Sequence, residues 1–275
     1  MNGQVFRPDC PEALWPLLEA GARPMAGGTD LLVRLRRQPP CDVALLQGIP
    51  GLDGVGLADG QLRLGATATH ARLLAHPLVR ERLPVLARAL AVLGSPLVRN
   101  MGTLGGNIAT ASPAGDTLPP LYALEATVEL ASRRGTRRLP LADFILGPGC
   151  TALARGEIVT AVLVPPPPPD ALQHFEKVGR RDALAVAVAS LAAVIVRDEA
   201  GQVTEARLAV GSLGPTVTRC PQAEAYLLGR GLDRETLATV GRRIREAVSP
   251  IDDIRATAAY RLRLAGNLPL RLLRP

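Results

Sequence analysis

Residues 23–36 read RPMAGGTDLLVRLR, and this stretch decides the fold. Residues 23–28 form a short extended segment that runs into a Gly-Gly turn. Residues 30–37 then place Leu31, Leu32 and Leu35 at helical spacing. Small residues at such a turn let a ligand approach the main chain closely. N–H groups at a helix N-terminus favour phosphate. The chain contains neither GK[ST] nor GxGxxG, so neither a P-loop nor a Rossmann nicotinamide site is indicated.

Working outward, residues 11–20 carry Leu14, Leu17 and Leu18 on one side of a predicted helix, with Gly21 as its stop. A short apolar run at 43–46 follows, so the opening is a small α/β unit ending near Leu52. Residues 60–65 (GQLRLG) alternate as a strand. Residues 69–74 begin a helix, and 83–93 form an aliphatic helix closed by Gly94. A second glycine-rich stretch, 102–107 (GTLGGN), reads as a loop offering N–H groups, the Thr103 hydroxyl and the Asn107 amide. Ser112, Pro113 and Asp116 come after it. Residues 119–124 are helical, and 126–132 (ATVELAS) form a strand. The basic turn at 133–135 leads into another strand at 136–139. Two anion-cradling loops in one chain suit a ligand with more than one phosphate, such as a dinucleotide. Either loop alone is equally a tight turn.

Five consecutive prolines at 165–169 can continue neither a helix nor a central strand, and they mark a domain boundary. Beyond them, 185–196 and 204–210 read as strands joined by a turn at 198–201. Helices follow at 222–228, 234–248 and 252–264.

The bulk numbers exclude several functions. Aromatics make up 3% of 275 residues, too few for base-stacking nucleic-acid platforms. The net charge of +7 is almost all arginine, scattered along the chain, and Lys177 is the single lysine. An Ala-, Arg-, Gly- and Pro-rich composition discounts that charge as a sign of a nucleic-acid partner. Cys10, Cys41, Cys150 and Cys220 form no CxxC pair, so no zinc or iron–sulfur site is supported, and buried, reduced thiols are expected. His70, His76 and His174 lack partners at metal-ligand spacing and take ordinary polar or packing roles. No Ser/His/Asp set or carboxylate pair emerges, so no catalytic residue and no metal ligand is assigned. The N-terminus lacks a basic and an apolar signal region, and the longest apolar run, 183–196, is too short to span a bilayer. A cytoplasmic protein is expected.

Set together, RPMAGGTDLLVRLR, LRLGATATHARL, GSPLVRNMGTLGGNIATASPAGDTLPPL, DFILGPGCTALARGEIV, HFEKVGRRDALAVAVAS and VGSLGPTVTRCPQAEAYLLG resemble, in order and over nearly the whole chain, the flavoprotein subunits of the molybdenum hydroxylase and xanthine dehydrogenase family, such as the carbon monoxide dehydrogenase medium subunit. The resemblance implies an α+β fold. A two-subdomain FAD-binding domain of the PCMH/VAO-like kind would occupy residues 1–168, with subdomains at about 1–52 and 53–168. A C-terminal domain of antiparallel sheet plus helices would occupy 172–275. It further implies that Ala26, Gly27, Gly28, Thr29, Asp30 and Leu31 line the FAD pyrophosphate. Thr103, Gly105, Gly106 and Asn107 would complete that cradle, with Thr110 near it. Asp116 matches an aspartate near the ribityl chain and flavin ring, Val159 an apolar flavin neighbour, and Lys177 a flavin lysine in an FxK segment. A lone lysine among so many arginines suits a site that wants a point-like ammonium.

The resemblance implies electron transfer. A molybdopterin-binding large subunit would oxidise substrate, a [2Fe–2S] small subunit would relay the electrons, and this FAD would pass them to NAD⁺, a quinone or oxygen, in a dimer of heterotrimers. The iron–sulfur insertion found in some relatives is absent, since no cysteine cluster exists. A stand-alone FAD-dependent oxidase and a flavin-free scaffold are the alternatives.

Overall fold

The computed structural model describes residues 3–181 and 184–273, so the first residue of the apolar run at 183–196 lies outside the described residues. The chain is α+β and forms two compact units. One comprises residues 1–76, 95–111 and 126–165; the other comprises 77–94, 112–125 and 166–275. Two excursions of the chain therefore belong with the C-terminal part, although they precede the proline run.

The first unit holds two sheets. A three-stranded parallel sheet has the order Val5–Phe6, Val43–Leu45, Arg23–Met25. Helix Pro11–Glu19 covers it, burying Leu14 and Leu18 against Ala44, Leu46, Ile49 and Leu52. Pro11 starts this helix where its missing N–H costs nothing. A five-stranded antiparallel sheet has the order Val55–Ala58, Gln61–Gly65, Ile158–Val164, Thr127–Ser132, Gly135–Pro140. Its middle strand is buried at all seven positions, with a register irregularity between Val159 and Ala161. Glu129 sits on the neighbouring strand. Burial alone pushes its carboxyl up, but hydrogen bonds from Arg138, Thr160 and Arg63 outweigh that and hold it below the usual carboxylate range.

The second unit is built on a four-stranded antiparallel sheet, Leu172–Val178, Ala189–Arg197, Val203–Gly211, Thr218–Arg219. Leu191, Ala193, Ile195, Leu208 and Val210 form one core with Leu237, Val240 and Ile244 of helix Arg234–Ala247. Helices Pro84–Val92 and Leu118–Ala123 also pack on this sheet.

Several elements differ from the sequence expectation. The strand expected from Ala185 begins at Ala189. Before it, the Val188 N–H goes to the Val178 carbonyl, and the Val188 carbonyl accepts from the buried Arg261 guanidinium, so the chain is fastened as a loop. The last helix runs Ala258–Asn267 instead of starting at 252. The Asp253 carboxylate accepts the N–H groups of Arg255 and Ala256, and Thr257 supplies the N-cap to Tyr260, so the preceding residues form a turn. The expectation of four buried thiols is corrected: Cys220 is buried, Cys10 and Cys41 are half-buried, and Cys150 is exposed. Burial pushes the Cys220 thiol up to about 12, with Glu224 adding to the shift, which makes it unreactive. No helix among the described residues is long and apolar enough to cross a membrane.

Candidate functional site

The site is best built from the two glycine-rich stretches, which lie in the same unit. In the first, the chain leaves strand Arg23–Met25 and turns through Ala26, Gly27, Gly28, Thr29 and Asp30 into helix Leu31–Leu35, shorter than the 30–37 expected. Gly28 holds a left-handed φ of +69°, which a side chain would strain. Among the described residues, no hydrogen bond leaves the backbone N–H groups of Ala26, Gly27, Gly28, Thr29 or Asp30. These five donors lie half-buried or exposed at a turn, and they are the unsatisfied row a pyrophosphate would fill.

The second stretch differs from the loop that was expected. Residues Leu104–Thr110 are a helix, and Thr103 is its N-cap. Its donors are engaged within the chain. Leu104 N–H goes to the Ala68 carbonyl at 3.1 Å and Gly105 N–H to the Ala66 carbonyl at 2.9 Å. Gly106 N–H goes to Thr103 Oγ1 at 3.2 Å, and Asn107 N–H to the Thr103 carbonyl at 3.0 Å. The expectation of a second row of available N–H groups is therefore corrected. The glycines here serve close packing: a Cβ on Gly105 would lie 2.6 Å from the Ala66 Cβ. Gly106 alone is exposed, and a Cβ there would meet only Thr103 Oγ1, at 3.0 Å.

The two stretches touch. A Cβ on Gly27 would lie 1.7 Å from the Met101 carbonyl oxygen, so only glycine lets the two backbones meet. Thr110 Oγ1 donates to Asp30 Oδ2 at 2.9 Å, tying the end of the second helix to the first loop, and Arg34 pairs with the same oxygen at 2.7 Å. The residues required to form a cradle, Ala26–Leu31 with Thr103–Thr110, are thus brought to one place. Val159 lies in the middle strand of the large sheet, 5% exposed and paired with Leu130, as a core residue.

His70, expected in a polar or packing role, packs behind the second stretch. Its main-chain N–H donates to the Gly102 carbonyl at 2.9 Å, and a Cβ on Gly102 would lie 3.1 Å from the imidazole. Burial, with Arg99 adding, lowers its pKa to about 4, and Nδ1 has no partner. The ring is neutral at pH 7.

The second unit brings together the other two predicted site residues. Lys177 Nζ donates to Asp116 Oδ2 at 2.5 Å and to the Val92 carbonyl at 3.2 Å. Both side chains are less than a tenth exposed. Burial raises the Asp116 pKa, and Lys177 pulls it back. Asp116 Oδ1 is buried without a partner, an acceptor ready for a hydroxyl. Among the described residues, no group of three or more His, Cys, Asp or Glu could hold a metal ion.

In the first unit, a free donor row and a glycine contact that only a bare backbone permits fit the pyrophosphate of a dinucleotide. Residues 1–167 match the family model for the FAD binding domain in molybdopterin dehydrogenase, and 173–275 match that of the CO dehydrogenase flavoprotein C-terminal domain. The chain belongs to this family. It is an FAD-binding flavoprotein subunit of the molybdenum hydroxylase type, an oxidoreductase component. It is 32% identical over 257 residues to the xanthine dehydrogenase FAD-binding subunit of Escherichia coli O157:H7, covering 92% of this chain and 87% of that one. It is 33% identical to the nicotinate dehydrogenase FAD-subunit of Eubacterium barkeri, covering 86% and 82%. Among solved structures, a carbon monoxide dehydrogenase chain from Hydrogenophaga pseudoflava matches with a TM-score of 0.92 and 30% identity, covering 98% of this flavoprotein and 96% of that chain.

Proposed function

We propose that this flavoprotein subunit takes electrons from [2Fe–2S] centres on a small partner subunit and passes them through FAD to an external acceptor. A molybdopterin-binding large subunit would oxidise the substrate. The medium chain of carbon monoxide dehydrogenase from Hydrogenophaga pseudoflava, 30% identical over 95% of this chain, supports this assembly, and a dimer of heterotrimers in the cytoplasm is the arrangement we favour. The observation that carries the reading is the row of free N–H groups at Ala26–Asp30, held against the second stretch by Gly27.

In this reading Ala26, Gly27, Gly28, Thr29, Asp30 and Leu31 hold the pyrophosphate. Thr103, Gly105, Gly106, Asn107 and Thr110 form the opposite wall through shape and side chains, since the N–H groups of Gly105, Gly106 and Asn107 are engaged within the chain. Asp116 and Lys177 serve the ribityl chain and ring, and Val159 is an apolar neighbour. Bound FAD supplies the electron-carrying chemistry, while the protein positions and tunes it. Asp116 Oδ1 would accept a hydrogen bond from a hydroxyl, while Lys177 holds Oδ2 and opposes the upward pull of burial on the carboxyl. The FAD-binding domain would comprise residues 1–168, with subdomains at about 1–52 and 53–168, and the C-terminal domain residues 172–275. A flavin-free scaffold would leave the donor row without a purpose, and a stand-alone oxidase has no catalytic side-chain set to support it.

The test is to denature the purified protein and identify the released flavin by chromatography. FAD is expected; FMN or no flavin overturns the reading.

A further inference from the structure

We propose that the cleft between helix Pro11–Glu19 and the hairpin tip at residues 132–135 binds a nucleoside monophosphate, its base against Trp15 and its phosphate on Arg134 and Arg155. The site shares no residue with the flavin cradle and does not depend on it. The cleft measures about 360 Å³, and its walls include Trp15, Glu19, Ser132, Arg133, Arg134 and Arg155, all of the first unit. That volume lies within the range of about 300–1,000 Å³ typical of ligand clefts.

Each wall is held in place before any ligand arrives. Trp15, the single tryptophan of the chain, is half-buried. It packs against the core of Leu14, Leu18 and Ala44 and also lines the cleft. Ser132 Oγ accepts the Arg134 N–H at 3.2 Å and sets the hairpin tip. Arg155 stands in a turn closed by the Glu157 N–H on the Ala154 carbonyl at 3.1 Å. Its guanidinium donates to the Glu19 carbonyl at 3.1 Å, at the C-terminal end of the helix, where a cation is favoured.

Charge and shape select the ligand. Three guanidinium groups face one carboxylate. That carboxylate, Glu19, is taken by Arg133 at 3.1 Å. The adjacent Glu157 is gripped through both oxygens by Arg137, at 2.8 and 2.7 Å. Among the described residues, neither Arg134 nor Arg155 has a carboxylate within ion-pair reach. The Arg134 guanidinium makes no hydrogen bond there, and that of Arg155 makes one. Both therefore keep donors for an oxyanion, and a phosphate matches their forked geometry. The indole offers a stacking surface for one base, although so few aromatics build no platform for a polymer. An extended acidic peptide is served less well. Ser132 pairs with Gly135 inside the hairpin and its hydroxyl is occupied, so the cleft presents side chains and no open strand edge to a peptide backbone.

The test is a fluorescence titration of the FAD-bearing protein as purified with AMP, exciting Trp15. Adenosine and inorganic phosphate are the controls, and flavin content is followed by absorbance in the same samples. AMP should change the emission saturably without releasing flavin. Adenosine should not bind, and inorganic phosphate should bind at least about tenfold more weakly, the loss of one stacked base. Arg134→Gln and Arg155→Gln should each weaken AMP binding by about tenfold or more, the worth of a charge-assisted hydrogen bond. Arg134→Gln breaks no hydrogen bond of its guanidinium, so its melting temperature should match the wild type. No saturable AMP binding at millimolar concentration, or an unchanged affinity in Arg134→Gln, overturns the inference. So does phosphate binding as tightly as AMP, which would leave the indole without a role. A hexaglutamate peptide that binds where AMP does not would assign the cleft to an acidic segment and overturns it equally. Flavin released in step with AMP binding would put AMP in the flavin cradle and also overturns it.

Discussion

Two stretches of the same unit look alike in sequence and do different physical work. Residues 26–30 keep their N–H groups free, whereas residues 104–107 turn theirs inward to Ala66, Ala68 and Thr103. In the first, glycine provides a left-handed turn at Gly28 and a bare contact at Gly27. In the second, Gly102 and Gly105 let His70 and Ala66 pack against the main chain. A glycine-rich motif therefore states that backbone comes close to something. Whether that something is a ligand or the protein itself depends on where the donors point, and that is decided by tertiary partners far along the chain.

The comparison can be broken most severely at Gly27. In Gly27→Val, the new Cβ would occupy the place of the Met101 carbonyl, so the loops must separate. Losing even two charge-assisted N–H···O bonds, at about 1.5–3 kcal/mol each, weakens FAD binding by about a hundredfold or more. Flavin content after gel filtration checks it; full occupancy would mean the first loop is not the cradle.

Acid separates the two stretches next. His70, behind the second, has a folded pKa of about 4, below the unfolded value of about 6.5. The unfolded chain then binds the proton more readily, so stability is intact above about pH 6.5 and falls as pH drops toward 4. Urea unfolding at pH 7 and pH 4.5 should differ by about 2–3 kcal/mol more in the wild type than in His70→Phe, whose ring cannot charge. An identical pH dependence in both would show that His70 is not held neutral.

Smaller effects sharpen the contrast. Thr103→Ala removes the cap on Gly106 and should cost about 1 kcal/mol of stability, read by thermal melting. Gly106→Ala places a methyl beside a hydroxyl at an exposed position and should change stability by less than about 0.5 kcal/mol. Because the Gly106 N–H already serves Thr103, that substitution removes no donor from a ligand. A large stability loss in Gly106→Ala would mean the position is packed, not open.

Much of this was legible in the sequence, for identifiable reasons. The strand at Thr127–Ser132 alternates in sequence, with Val128 and Leu130 apolar and buried. The polar Glu129 between them is buried only because Arg63, Arg138 and Thr160 pair with it, and the basic hairpin turn is solvated. Helix Arg234–Ala247 shows its apolar stripe and an Asp233 cap. The middle strand Ile158–Val164 has no alternation to read, because both of its faces are buried. Helix Leu104–Thr110 was hidden by Gly105 and Gly106, poor helix formers whose cost is offset by packing on Ala66 and by the Thr103 cap. The Asp116–Lys177 pair joins residues 61 positions apart, a proximity set by the second unit's packing and not by any local pattern. The same holds for Arg88 and His174, 86 positions apart.

The central claim, that the first loop's free amides hold the flavin pyrophosphate, is tested most directly by amide hydrogen–deuterium exchange on FAD-stripped and FAD-loaded protein. Without FAD, the amides of residues 26–30 should exchange fast and those of 104–107 slowly. With FAD, protection should appear at 26–30 and change little at 104–107. Exchange at 26–30 that is indifferent to FAD, or a ligand effect confined to 104–107, would contradict the account.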